Sequence, residues 1–189
     1  MDRLFFGDDV LESLREWWNG TQPWEIWDKH PQALAVVVAH KNSPLDWRKP
    51  FATAFVVLTA GEDVMHPQIS GPAGVLNDVA GKMRFAIRTR LDSREARIMR
   101  FLLQSGDYPA AGAMHYNGFL VGAAGLKEDH NDTLGMTVVE ELCREADRAV
   151  RPALDASKAW TPGSPVRDRY LGAEPPSFTP DFMQLLHQA

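Results

Sequence analysis

The sequence predicts an α+β fold in which helices pack on an antiparallel sheet. Three observations carry this. Apolar, Val-rich runs at residues 33–39 and 51–60 suit strands. From Leu76 onward apolar residues recur at helical spacing instead. Between two further apolar runs stands Asn117-Gly118, the dipeptide that favours the type I′ turn of a hairpin.

The first helix is expected to start at Asp9, where Asp9 and Glu12 have capping-box spacing. Val10, Leu11, Leu14, Trp17 and Trp18 mark its apolar side, and Gly20 its stop. Strands follow at 33–39 and 51–60, separated by the Asn42-Ser43-Pro44 turn. A short return strand is expected over 64–69, weakened by Pro67. Leu76, Val79, Ala80, Met83, Ile87 and Leu91 then share a helical face. Asp92 and Glu95 repeat the capping-box spacing, so a further helix is expected up to Gln104, ended by Gly106. The hairpin joins residues 111–116 to 119–125. A last helix is expected from a cap at Asp132, with Met136, Val139, Leu142 and Cys143 inward and Pro152 as its stop.

At 189 residues, 44% hydrophobic and 24% charged, the chain suits one cored domain and excludes wholesale disorder. That α+β domain is expected over residues 1–160. Residues 161–189 hold five of the 13 prolines and read as an extended arm, docked through Trp160, Tyr170, Phe178 and Phe182. A single Cys excludes a disulfide scaffold and any Cys-based metal cluster. A net charge of -5 argues against general nucleic-acid binding. No apolar run reaches membrane-span length, and no secretory signal is visible. A cytoplasmic protein is the expectation.

Three segments carry a family likeness. They are Asn77-Asp78-Val79-Ala80-Gly81-Lys82-Met83-Arg84-Phe85-Ala86, the hairpin over 111–126, and Lys127-Glu128-Asp129-His130 leading into Val138-Val139-Glu140-Glu141-Leu142. Over residues 52–150 the chain resembles the GlcG/HbpS-like, "haem-degrading" domain family. The resemblance implies a profilin-like fold, with a central antiparallel sheet of about five strands and helices on both faces. It also implies a homo-oligomer and, as a candidate cofactor, haem or another anionic aromatic molecule. Lys82 is the residue on which the likeness and the charge pattern coincide.

That pattern is a basic stretch. Residues 82–100 hold seven Lys or Arg and two Asp or Glu, a local +5 against -10 elsewhere. Lys82 and Arg84 are the candidates for binding an anionic ligand. The alternative is a solvated face paired with the acidic remainder of the chain. His115 on the hairpin and His130 before the last helix are candidate iron ligands, or structural residues. No His pair has zinc spacing, so no metal site is expected. Asp129 beside His130 offers an acid–base pair to an enzyme reading, but no Gly-x-Ser-x-Gly elbow accompanies it. Cys143 reads as a small core residue. Trp17, Trp18, Trp24 and Trp27 suit packing, or the wall of a flat ligand's pocket. Two functions follow: a small ligand-binding protein, or an oligomeric interaction protein without small-molecule chemistry.

Overall fold

A computed structural model describes residues 7–40, 46–51, 54–61 and 74–156, with the side chains of 150 and 152–156 outside the description. The elements run α1 (Asp8–Thr21), β1 (Ala33–His40), β2 (Ala54–Gly61), α2 (Val75–Thr89), β3 (Ala113–Tyr116), β4 (Phe119–Ala124) and α3 (Glu128–Ala156). The fold is α+β as expected. The chain divides into two compact units, Met1–Glu145 and Ala146–Ala189, and the sheet lies in the first. No helix among the described residues is long and apolar enough to cross a membrane.

The described sheet has four strands, in the order β2-β1-β4-β3, all antiparallel, where about five were expected. The strand expected over 64–69 and the arm at 161–189 lie outside the described residues. Central β1 is buried along seven of its eight residues. Both faces of the sheet are therefore covered, which is why β1 reads as a continuous apolar run without alternation. On one face Ala35, Val37, Ala39, Leu120 and Ala124 pack with Val79, Met83, Ala86 and Ile87 of α2. Gly122 lies there too; a Cβ on it would stand 2.7 Å from Met83 Cγ. The opposite face meets α3, where Gly135 lies against Val121 and Ala123.

The hairpin forms where Asn117-Gly118 places it. Asn117 (φ 46°) and Gly118 (φ 86°) both adopt positive φ, the requirement of a type I′ turn. Helix boundaries depart from the sequence reading in four places. First, α1 starts at Asp8 with Gly7 as N-cap and no side-chain cap. Asp9 falls inside the first turn, where its charge meets the helix dipole and its side chain is not needed as a cap. Second, the helix passes Gly20 and closes at Gln22, whose N–H reaches Trp18 O at 3.0 Å.

Third, the α-helix expected from Asp92 to Gln104 is two 3₁₀ turns, Ser93–Arg97 and Arg100–Leu102. The side chains expected to cap it are used across the fold. Asp92 Oδ1 accepts the His115 N–H at 3.1 Å, and Ser93 Oγ donates to Ala110 O while accepting the Ala113 N–H. These bonds tie the segment to the start of β3. Fourth, α3 begins at Glu128, one turn before Asp132, and continues past Pro152 to Ala156. Asn131 secures its first turn, bonding both N–H and C=O of Leu126 at 3.0 and 2.9 Å. Asp132 is a buried carboxylate paired with Arg94, not a cap.

Candidate functional site

Helix α2 carries the two basic candidates, and a returning segment at 104–108 completes the site. Gly81 permits that approach. A Cβ at Gly81 would stand 2.8 Å from Tyr108 Cβ and 3.0 Å from Gly106 O. Replacing Gly81 with alanine gains about 1 kcal/mol of helix propensity. It also crowds a neighbour made largely of backbone, at about 1–3 kcal/mol. The expected result is a net loss near 1 kcal/mol in urea unfolding. An unchanged or higher stability would mean that residues 106–108 do not rest on α2.

Around this contact lies a cleft of about 320 Å³, lined by Asn77, Asp78, Arg84, Gly106, Asp107 and Tyr108. Arg84 Nη1 donates to Gly106 O at 3.3 Å. Arg88 pairs with Asp107, and Asp107 also accepts the Gln104 N–H at 2.8 Å, which fixes the turn. The buried Nε of Arg88 finds no acceptor among the described residues.

Lys82 is 2% exposed. Its Nζ donates to Ala123 O at 3.0 Å and lies 5.7 Å from the centre of the Tyr108 ring. Gly112 (φ 127°) packs its backbone closely against this group, since a Cβ there would stand 2.9 Å from Nζ and 2.2 Å from Ala123 O. Burial pushes the Lys82 amine down to about 8, against the opposing pull of the Asp78 and Glu128 carboxylates. Burial likewise raises the Asp78 carboxyl above its ordinary value, and Lys82 partly offsets this.

The rest of the basic stretch does largely what the charge-pairing alternative expected. Arg88, Arg94 and Arg97 pair with Asp107, Asp132 and Glu128. Within the cleft and its back wall, Lys82, Arg84 and Arg88 stand against Asp78 and Asp107, a surplus of one positive charge. Arg84 has only a backbone carbonyl as its recorded partner, so its guanidinium supplies that surplus.

The two histidines are held elsewhere. His115 Nε2 lies 3.3 Å from Ala86 O, and the His130 ring stacks on Trp27 at 5.3 Å. Neither lines the cleft. Arg84 thus lines the cleft, Lys82 lies buried beside Tyr108 without lining it, and His115 and His130 do not line it. Asp129 is exposed, and no hydrogen bond joins it to His130 among the described contacts. No group of three or more His, Cys, Asp or Glu among the described residues forms a metal cluster. The half-buried Cys143 thiol is pushed up by burial and then by Glu140, which disfavours the thiolate.

Sequence reasoning missed Asp78, Asp107 and Tyr108. A larger, open cavity of about 650 Å³ is lined by Trp24, one of the tryptophans offered as a pocket wall, with Lys29, His30, Gln32 and Gly61, which sequence reasoning did not single out. The Trp cluster divides between roles. Trp18 and Trp24 pack in the core, 4.5 Å between ring centres, and Trp24 also walls that cavity.

No family model matches the chain, and no curated protein matches it. Two solved structures are similar to it. The structure of Ybr137w protein has a TM-score of 0.41 and 14% identity, covering 75% of this chain and 76% of that one. The structure of HbpS has a TM-score of 0.37 and 13% identity, covering 75% and 84%. Both likenesses are weak and too distant to inform the chemistry of this chain.

Proposed function

We propose that this chain is a cytoplasmic binding protein for a small anionic molecule, taken in the cleft between α2 and residues 104–108. The observation that carries the reading is the Arg84 guanidinium, which lines the cleft with no carboxylate partner among the described residues. One surplus cation suits one carboxylate, which arginine grips through paired N–H donors. Asn77 and Asp78 line the same space and suit a hydroxyl next to that carboxylate.

Haem, the ligand implied by the family resemblance, has less support. His115 Nε2 is engaged by Ala86 O, the His130 ring stacks on Trp27, and neither residue lines the two cavities described above.

Lactate is the probe. Calorimetry should give saturable binding at one site per chain. Arg84→Gln removes a charge-assisted contact of about 1.5–3 kcal/mol, which weakens binding roughly 10- to 100-fold. Circular dichroism of the variant should be unchanged. Absence of saturable binding would defeat this reading. A saturable Soret shift with haem, lost in His115→Ala or His130→Ala, would replace it with the haem reading.

A contact surface is the second reading, favoured by Ile98 and Phe101, which stand 79% and 84% exposed beside Arg100. Such a surface suits the homo-oligomer that the resemblance implies. Analytical ultracentrifugation decides it: a monomer at micromolar concentration counts against it.

A further inference from the structure

We propose that Lys82 is a carbonyl-reactive amine, and that it condenses with a 2-oxo acid whose carboxylate is held in the cleft by Arg84. The inference deepens the anion-binding reading and rests on it. Three geometric facts support it. Only one of the three Nζ donors of Lys82 has a recorded acceptor, Ala123 O. A nitrogen seated that way gains little from remaining an ammonium. Gly112 packs against Nζ with no side chain of its own to shield it. Tyr108, 43% exposed and itself lining the cleft, is the ring that stands beside Nζ on the cleft side. This ring must turn aside to admit the substrate to Nζ.

The chemistry closes with groups already present. The Nζ lone pair attacks the keto carbon and the C–N bond forms. The carbonyl π pair moves to oxygen, which takes a proton from the Asp78 carboxyl. The nitrogen then gives up a proton to the Asp78 carboxylate. The Asp78 carboxyl then protonates the hydroxyl, which leaves as water as the C–O bond breaks and the nitrogen lone pair forms the C=N bond. The iminium returns its proton to the Asp78 carboxylate, so amine plus ketone gives imine plus water. No oxidant or further reactant is needed. The lowered value of the Lys82 amine fits this role. At about 8, roughly a tenth of it is neutral at pH 7, against about one in 2,500 for an ordinary lysine.

The experiment is reductive trapping with pyruvate and cyanoborohydride, read by intact mass and peptide mapping. Lactate binding is measured in parallel. The expected result is one reduced pyruvate adduct per chain, mapped to Lys82 and suppressed by lactate. Its rate should rise with pH and level off above about 8, where surface lysines continue to gain. Tyr108→Ala should raise the trapping rate severalfold, and Lys82→Arg should abolish it. Mapping in the unaltered protein names the lysine even if a variant fails to fold. Lactate binding without an adduct on Lys82 overturns this inference and leaves the cleft reading standing. Loss of both overturns both. Label spread over surface lysines and unchanged in Lys82→Arg also overturns it.

Discussion

Replacing Trp18 with alanine should lower the free energy of unfolding by about 3–5 kcal/mol. The side chain is 2% exposed, on the buried stripe that α1 shares among Val10, Leu14 and Trp18. Its ring packs on Trp24, and its Nε1 donates to Thr59 O of the edge strand β2 at 3.0 Å. Truncation therefore opens a large apolar void and orphans a carbonyl at the sheet edge. Trp18→Phe separates these effects. It fills most of the space and loses only the hydrogen bond, so its cost should be about 1–2 kcal/mol. Urea unfolding followed by circular dichroism measures both. A cost below about 1 kcal/mol for alanine would mean that α1 unfolds separately from the sheet.

Local chemistry was legible in the sequence, and long-range chemistry was not. The β3–β4 turn depends on two adjacent residues that tolerate positive φ, and Asn117-Gly118 announced it. Strand β1 was readable because burial on both faces leaves a continuous apolar run. The segment after α2 misled for a physical reason. Asp92 and Glu95 have the spacing of a cap, yet the side chains of Asp92 and the adjacent Ser93 bond to His115 and to Ala110 and Ala113, some 20 residues ahead. No local pattern records such a choice.

The site divides in the same way. Lys82 and Arg84 stood out by charge. Tyr108 and Asp107 did not, because they reach α2 from a segment without periodicity. One signal was available: Gly81 interrupts a helical pattern at a cost of about 1 kcal/mol relative to alanine, which marks a close approach. For His115 and His130 the sequence did not show that one ring nitrogen meets Ala86 O and the other ring stacks on Trp27.

Lys82→Met should stabilise the protein at pH 7 by about 1–2 kcal/mol and remove a pH dependence. The sign follows from proton counting. Burial lowers the amine from 10.5 in the unfolded chain to about 8 in the fold. Between those values the unfolded chain holds a proton that the folded chain has released. Stability therefore rises with pH across that window, and below about 8 the penalty is fully present. The difference of 10.5 - 8, or 2.5, corresponds to about 3 kcal/mol at 1.36 kcal/mol per unit. Methionine nearly matches the volume of lysine and carries no charge, so it avoids the penalty. It also leaves Ala123 O without its donor and Asp78 without its cationic neighbour, which reduces the net gain. Urea unfolding of both proteins at pH 7 and near pH 10 tests this. The variant should lead at pH 7, and the lead should vanish near pH 10 as the original protein recovers. Parallel curves would mean that the ammonium is well solvated where it sits. The neutral fraction on which the carbonyl chemistry depends would then be absent, so this equilibrium measurement bears on reactivity without any substrate.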